Sequence, residues 1–528
     1  MKVYFIVMIL FSAGFFGVRY VFAPPMRQYF GLRMYLSFAG ILGAGFLLHN
    51  AALFVATAGV VLLVTVTSRT DALCRLAMLV ALIPDVTYFV SAGGAYLGNL
   101  TTSDALSIGA LLACILRPGL QARRGMGIED ALVLALMIIF SVGASRAANI
   151  SGISREIVTI ALGLGLPFFV FSRFVRDRAQ FGYVVGALAG TALILAVIAI
   201  YEARFHWSVF YPVFANQSLG EVMSHSLRVR AGLMRTPTAF NESTSFAVFQ
   251  LVGVFAIIAS RRLFRNGFLW VGSFGLAIIG LLVAQSRGAD LALLFGVFVL
   301  LMVRRRYILA AGIAAGGTLI VTLLILLASS IPKVAAFLGA DRGYGSDGDY
   351  RQTLLRRGLQ EGMRHPFFGD DKLRVVSRMA DVVQGEGIVD FVNTYLMIFL
   401  NSGFVGLGLV VALLAAITWK IWPSRKTEKQ DRYFISLQMF LAGALAAELL
   451  ALLFTSFYER NPYWLMMIFA GCRVLRVSAR SAGKSETQKL EGLNLEKPAE
   501  EQPLAPGPAT DSPPLRPPPQ SMTGRYAT

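Results

Sequence analysis

Apolar runs recur from one end of the chain to the other. They fall near 3–23, 34–49, 51–68, 73–90, 103–117, 129–145, 154–174, 180–201, 244–260, 267–284, 288–303, 306–328, 391–419, 434–456 and 461–476. Most approach the length a helix needs to cross ~30 Å of hydrocarbon at ~1.5 Å per residue. None alternates apolar with polar positions as a barrel strand does, and lipid leaves a spanning backbone only those two forms. The pattern predicts an all-α, polytopic membrane helix bundle of about 13–15 spans. The second and third runs are short and can be one broken span or a re-entrant pair. The first run is long for a signal peptide and Pro24 follows Val21-Phe22-Ala23 at once, so it reads as an uncleaved span.

Basic residues sort the connections. Clusters at Arg27/Arg33, Arg69/Arg75, Arg123/Arg124, Arg173/Arg176/Arg178, Arg261/Arg262/Arg265, Arg304–Arg306, Lys420–Arg432 and Arg473/Arg476 each follow every second run. Lys and Arg favour the cytoplasmic side, which puts all of these clusters inside. The two long connections, 202–243 and 330–389, then face outward. The expected organisation is a transmembrane domain over 1–477 and a disordered, Pro-rich cytoplasmic tail over 478–528, which lacks the apolar residues to fold.

Composition agrees with this picture. Of 528 residues, 56% are hydrophobic and 15% charged, against about 25% charged in soluble domains. The net charge is +18, and from Arg480 onward acids balance bases, so the excess lies in the apolar part. Anionic lipid headgroups account for it; no basic-aromatic module points to nucleic acid. Cys74, Cys114 and Cys472 show no paired spacing, and the four histidines show no metal-ligand spacing, so neither disulfides nor a metal site is expected.

One stretch departs from the apolar pattern. From Asp341 to Gly403 the chain is polar, aromatic and glycine-spaced, with a short helical pattern over Arg351–Met363 stopped by His365-Pro366-Phe367-Phe368-Gly369. A loop so long is functional more often than connective. It is also rich in arginine, which the outer side should lack: Arg351, Arg356, Arg357 and Arg364, with Arg235, Arg287 and Arg460 on other outward connections. A charge at membrane depth costs about 2.5–3.5 kcal/mol unless paired or solvated. Guanidinium forks suit phosphate oxygens, so these arginines suggest a phosphate-bearing lipid ligand. Blander readings stand beside this one. Arg287 can pair with Asp290 one turn on, Arg235 can snorkel, and Leu355, Leu359 and Met363 can be the apolar stripe of a helix lying on the bilayer. Asp85 and Glu448, inside apolar runs, can mark an ion path or a buried hydrogen bond.

Four pieces, in order, resemble the O-antigen ligase and O-antigen polymerase-like membrane proteins. They are Arg235 ahead of Pro237, Phe240 and Asn241; Ser286-Arg287-Gly288; Arg351-x-x-x-Leu355 followed by Arg364-His365-Pro366-Phe367-Phe368-Gly369; and Asn393-Thr394-Tyr395-Leu396 leading to Gly403-Phe404-Val405-Gly406. The resemblance covers roughly residues 200–475. It implies a multi-pass protein of the bacterial cytoplasmic membrane with periplasmic outer loops. It implies transfer of undecaprenyl-pyrophosphate-linked glycan to a sugar hydroxyl, without cofactor or metal. Arg235, Arg287, Arg351 and Arg357 would hold the pyrophosphate. Partners implied are the lipid-linked oligosaccharide, a glycan acceptor, the bilayer and other polysaccharide assembly proteins. Where the ligases carry a histidine this chain has Val392. Asp390 is then the candidate base, with Glu242 and Glu386 as alternatives. The absence of that histidine favours a polymerase of O-antigen or exopolysaccharide repeats over a ligase acting on lipid A–core. Transport of lipid-linked glycan is the rival in a different class.

Overall fold

The computed structural model describes residues 2–92, 95–117, 125–144, 150–217, 229–230, 233–331, 347–382, 389, 391–422, 432–456 and 460–475. The tail over 478–528 lies outside them. The architecture is the all-α, polytopic bundle that the apolar runs predict. Among the described residues, six helices, or continuous helical stretches, are long and apolar enough to cross a membrane, and five shorter apolar helices accompany them.

The helices are α1 (Lys2–Val21), α2 (Leu32–Leu47), α3 (Ala51–Thr65), α4 (Arg69–Leu82), α5 (Thr102–Leu116), α6 (Ile128–Ala144), α7 (Ile150–Ile160) and α8 (Leu166–Phe174). Then come α9 (Arg178–Phe205), α10 (Tyr211–Asn216), α11 (Ser243–Ala259), α12 (Gly267–Val283), α13 (Arg287–Val303) and α14 (Tyr307–Ser330). The long connection after α14 carries α15 (Asp347–Gly362) and α16 (Lys372–Arg378). The chain continues through α17 (Thr394–Ile421), α18 (Arg432–Ala451) and α19, over 461–475. Asn50, Ser68, Thr101, Asp177, Asn266 and Asn393 cap their helices through side-chain oxygens, as short polar residues at helix starts do.

The centre is α9, buried along most of its 28 residues. Small residues let neighbours approach it closely: Ala192 meets Gly253 of α11, and Ala196 meets Gly280 of α12. Gly296 of α13 likewise abuts Gly443 and Ala447 of α18.

The run over 73–90 is not one span. Helix α4 stops at Leu82, and β1 (Thr87–Ala92) pairs antiparallel with β2 (Ala95–Thr101). Pro84 ends the helical register, and the β-branched and aromatic residues after it suit a hairpin. Asp85 therefore sits at a hairpin base and not within a helix.

Contacts sort the connections into two ends. At one end Ala23 N–H donates to the Leu263 carbonyl (2.8 Å) and Arg265 N–H to that of Val21 (2.9 Å). Arg69 donates to the Cys114 carbonyl (2.8 Å), and Arg178 to that of Leu475 (2.7 Å). Lys420 pairs there with the fully buried Glu129, and Arg173 and Arg473 both pair with Asp130. These segments adjoin or carry most of the basic clusters. The opposite end gathers 83–85, 102–103, 202–209, 233–242, 284–290, 391–396, 452–456 and 460–461.

Candidate functional site

The loop helix α15 is seated on the first turns of α17. Gly358 and Gly362 allow it, because a side chain at either would collide with Leu396 or Phe399. Beyond α15 the turn His365–Gly369 docks into a break in α17. Gly403 interrupts that helix with φ 63° and ψ −159°, a region essentially reserved for glycine. The break frees backbone groups that an unbroken helix would satisfy internally. Phe404 N–H donates to the Pro366 carbonyl (2.7 Å), Val405 N–H to that of Phe367 (3.1 Å), and Asp370 N–H to that of Leu400 (2.8 Å). Gly369 has φ 67° and packs against the backbone of Leu400–Ser402. Two sequence pieces 35 residues apart are thus one object, joined backbone to backbone.

Charges fasten the same unit. The Arg378 guanidinium joins Glu361 of α15 to Asp370 beside the turn. Arg364 pairs with Glu361 at 3.1 Å, and His365 Nε2 lies 3.5 Å from Asp370. Burial alone would raise the Asp370 pKa, but the Asp371 N–H and the Arg378 guanidinium outweigh it and hold the carboxyl below its ordinary value. Arg357 pairs with Asp381 at 2.5 Å on the surface. Arg351 and Arg356 are exposed and have no ion pair among the described residues.

Arg235 and Arg287 sit at this same end. Both are half-buried, and Gln285 bridges their segments by donating to the Leu233 carbonyl (3.4 Å). Among the described residues no ion pair joins Arg287 to Asp290, whose Oδ1 is buried without a hydrogen bond. The hydroxyls of Thr236 and Thr238 and the amide oxygen of Asn241 are likewise buried and unmatched. Glu202, fully buried at the end of α9, shapes the segment after Arg235. Its carboxylate accepts from Val209 N–H (2.9 Å) and from Thr238 N–H (3.0 Å), holding Thr238 at φ 52°.

The two halves of this end meet through 452–456. Thr394 N–H donates to the Leu452 carbonyl (3.0 Å), Thr394 Oγ1 to that of Thr455 (2.8 Å) and Ser456 Oγ to that of Phe391 (3.1 Å). Gly288, next to Arg287, packs on Phe454. Asp390 and Glu386 lie outside the described residues, and Glu242 is exposed. Arg351, on α15, reaches this end through α17. Arg357 is engaged with Asp381.

Sequence reasoning grouped Arg460 with the ligand-facing arginines. The structure places it inside the protein, 1% exposed. It donates to the Ser103 hydroxyl (3.3 Å) and to the Ala239 and Ile83 carbonyls, lies 3.6 Å from Asp85, and stacks on Phe240 at 4.9 Å. Asp85 in turn accepts from Ser103 N–H and Oγ. Arg460 is therefore a clamp between the hairpin base, α5 and the Arg235 segment. Removing one partner of a buried ion pair costs about 3–5 kcal/mol. Arg460→Ala should lower the thermal midpoint of the detergent-purified protein sharply. Arg460→Lys should recover little, since an ammonium cannot span these acceptors.

The O-Antigen ligase family model matches residues 272–411, from within α12 to within α17. That stretch holds Ser286-Arg287-Gly288, the loop helices, the docked turn and the Gly403 break. No curated protein matches the chain. Residues 272–411 of this helical membrane protein are thus similar to the O-antigen ligase family.

Proposed function

We propose that this protein is a polysaccharide polymerase of the cytoplasmic membrane, lengthening O-antigen or exopolysaccharide repeats on its outer face. The observation that supports this most is the convergence of Arg235 and Arg287 with the α15–α17 unit at the end of the bundle opposite the basic clusters. The donor in this reading is a glycan on undecaprenyl pyrophosphate. An acceptor hydroxyl oxygen attacks the anomeric carbon, the bond from that carbon to the pyrophosphate oxygen breaks, and the lipid pyrophosphate leaves with the bonding pair. Arg235 and Arg287, with Arg351 from the loop helix, meet the charge that grows on the leaving group. Arg357 joins them only when its Asp381 partner is exchanged for phosphate, an exchange that a weak surface pair allows.

Asp390 takes the acceptor proton in this scheme, because it immediately precedes Phe391, which is anchored by Ser456. Asp390→Asn should then lower turnover about 10²–10⁴-fold with donor binding retained. Equal turnover from the variant would move the base to Glu242 or Glu386.

The family model's description favours a second reading, transfer of finished polymer to a terminal acceptor. Purified protein in vesicles, given a lipid-linked repeat unit, separates the readings. A polymerase releases polyprenyl pyrophosphate and lengthens the remaining donor. A ligase releases it only when a separate acceptor is added. No release under either condition would overturn both and favour transport.

A further inference from the structure

The loop helix α15 has three faces, and the proposed chemistry uses only part of them. One face, Leu354, Gly358, Glu361 and Gly362, is buried on α17. About a third of a turn round the helix, Leu355, Leu359 and Met363 form a stripe that touches no core, with Met363 61% exposed. The exposed apolar surface continues into the docked turn and its partner, at Phe367 (65%), Phe368 and Phe404. The third face, Thr353, Arg357 and Gln360, is polar and exposed. Arg356 borders the stripe on the side away from α17, and Arg351 borders it on the side toward α17.

The depth of α15 can be read from the helix that carries it. At the far end of α17, Trp419 and Trp422 are exposed, as aromatic residues at a membrane–water boundary are. Hydrocarbon of ~30 Å spans about 20 helical residues. Counted back from Trp419, that length ends near Leu400. Leu396 and Phe399, on which α15 rests, then stand at the opposite boundary. With its buried face against α17 at that height, α15 can rest its apolar stripe on lipid and turn its polar face to water.

We propose that α15 and the docked turn form an interfacial element seated on an anionic bilayer. The acyl region takes Leu355, Leu359, Met363 and Phe367. Lipid phosphates take Arg356, which has no ion pair among the described residues. A bilayer is favoured over a protein partner because the stripe is bordered by positive charge with no ion pair among the described residues, the pattern by which amphipathic helices bind anionic lipid.

The native cysteines are all buried, so an exposed cysteine can be labelled selectively. Leu359→Cys and Gln360→Cys would each carry an environment-sensitive fluorophore. The full-length protein would be reconstituted in vesicles of phosphatidylcholine with one quarter phosphatidylglycerol. Quenchers would be shallow spin-labelled lipids and aqueous iodide. The expected result is a blue-shifted Leu359→Cys probe quenched several-fold more by lipid than by iodide, with the order reversed for Gln360→Cys. Adding Arg356→Glu should reduce lipid quenching with phosphatidylglycerol present and leave it unchanged in phosphatidylcholine alone. Iodide quenching of both probes without lipid quenching would overturn the proposal. So would a Leu359→Cys probe shielded from both quenchers, which would mean that protein covers the stripe. The test reads depth, not catalysis, so it stands or falls apart from the glycosyl-transfer reading.

Discussion

Arg287→Ala is expected to abolish long polymer while single repeat units continue to be made. The variant would be expressed at matched level in cells lacking the wild-type copy, and polysaccharide chain length measured. Removing one fixed donor from a developing charge costs about 10²–10³ in rate. The structure adds a reason to expect the upper part of that range: Arg287 is half-buried beside unmatched polar groups, and its segment is bridged to that of Arg235 through Gln285 and Leu233. Arg287→Lys should recover little, because a point charge cannot bond two phosphate oxygens at once. Loss of surface attachment with long polymer retained on its lipid would point instead to a ligase. Normal polymer and normal attachment would remove the arginine argument.

Gly403→Val should be nearly as damaging by an unrelated route. The backbone conformation at Gly403 costs a residue with a side chain about 1–3 kcal/mol, and the new Cβ would also collide with the Pro366–Phe367 backbone. Undocking the turn forfeits the bonds from Phe404 and Val405 and separates α15 from α17. The variant should still insert, since the apolar run is intact, but its outer loop should be cut by protease far faster than in the parent. Gly408→Val, at a position with open space around it, is the matched control and should change neither readout. Equal protease resistance in the Gly403 variant would show that the turn does not depend on the break.

The apolar helices were mostly legible in the sequence, because lipid demands long apolar runs. Partnerships were less legible. Arg357 and Arg351 have the same character in sequence, yet only the fold brings Asp381 to one of them. Arg460 looked like a ligand group because Asp85 lies hundreds of positions away and seemed to be inside a span. The hairpin was hidden because Val86–Val90 is as apolar as a helix, and only Pro84 hinted at a stop. Gly403 and Gly369 were both visible as parts of motifs. That each needs a positive φ to receive the other's backbone could not be read from spacing. Glu202 was missed outright, although a carboxylate at the end of a long apolar run before a polar connection is a signal that could have been weighed.

The docking of His365–Gly369 into α17 also bears on how substrate would reach the proposed arginine site. A flap that opens on each turnover must leave no unsatisfied backbone behind. Lifting this turn would strip the Phe404 and Val405 N–H groups of their acceptors, and at the depth proposed above each lost bond would cost several kcal/mol. The turn is therefore a fixed part of the bundle and not a flap. On the proposed reading, a lipid-borne donor would arrive sideways, from the plane of the bilayer, beneath a ledge that stays in place.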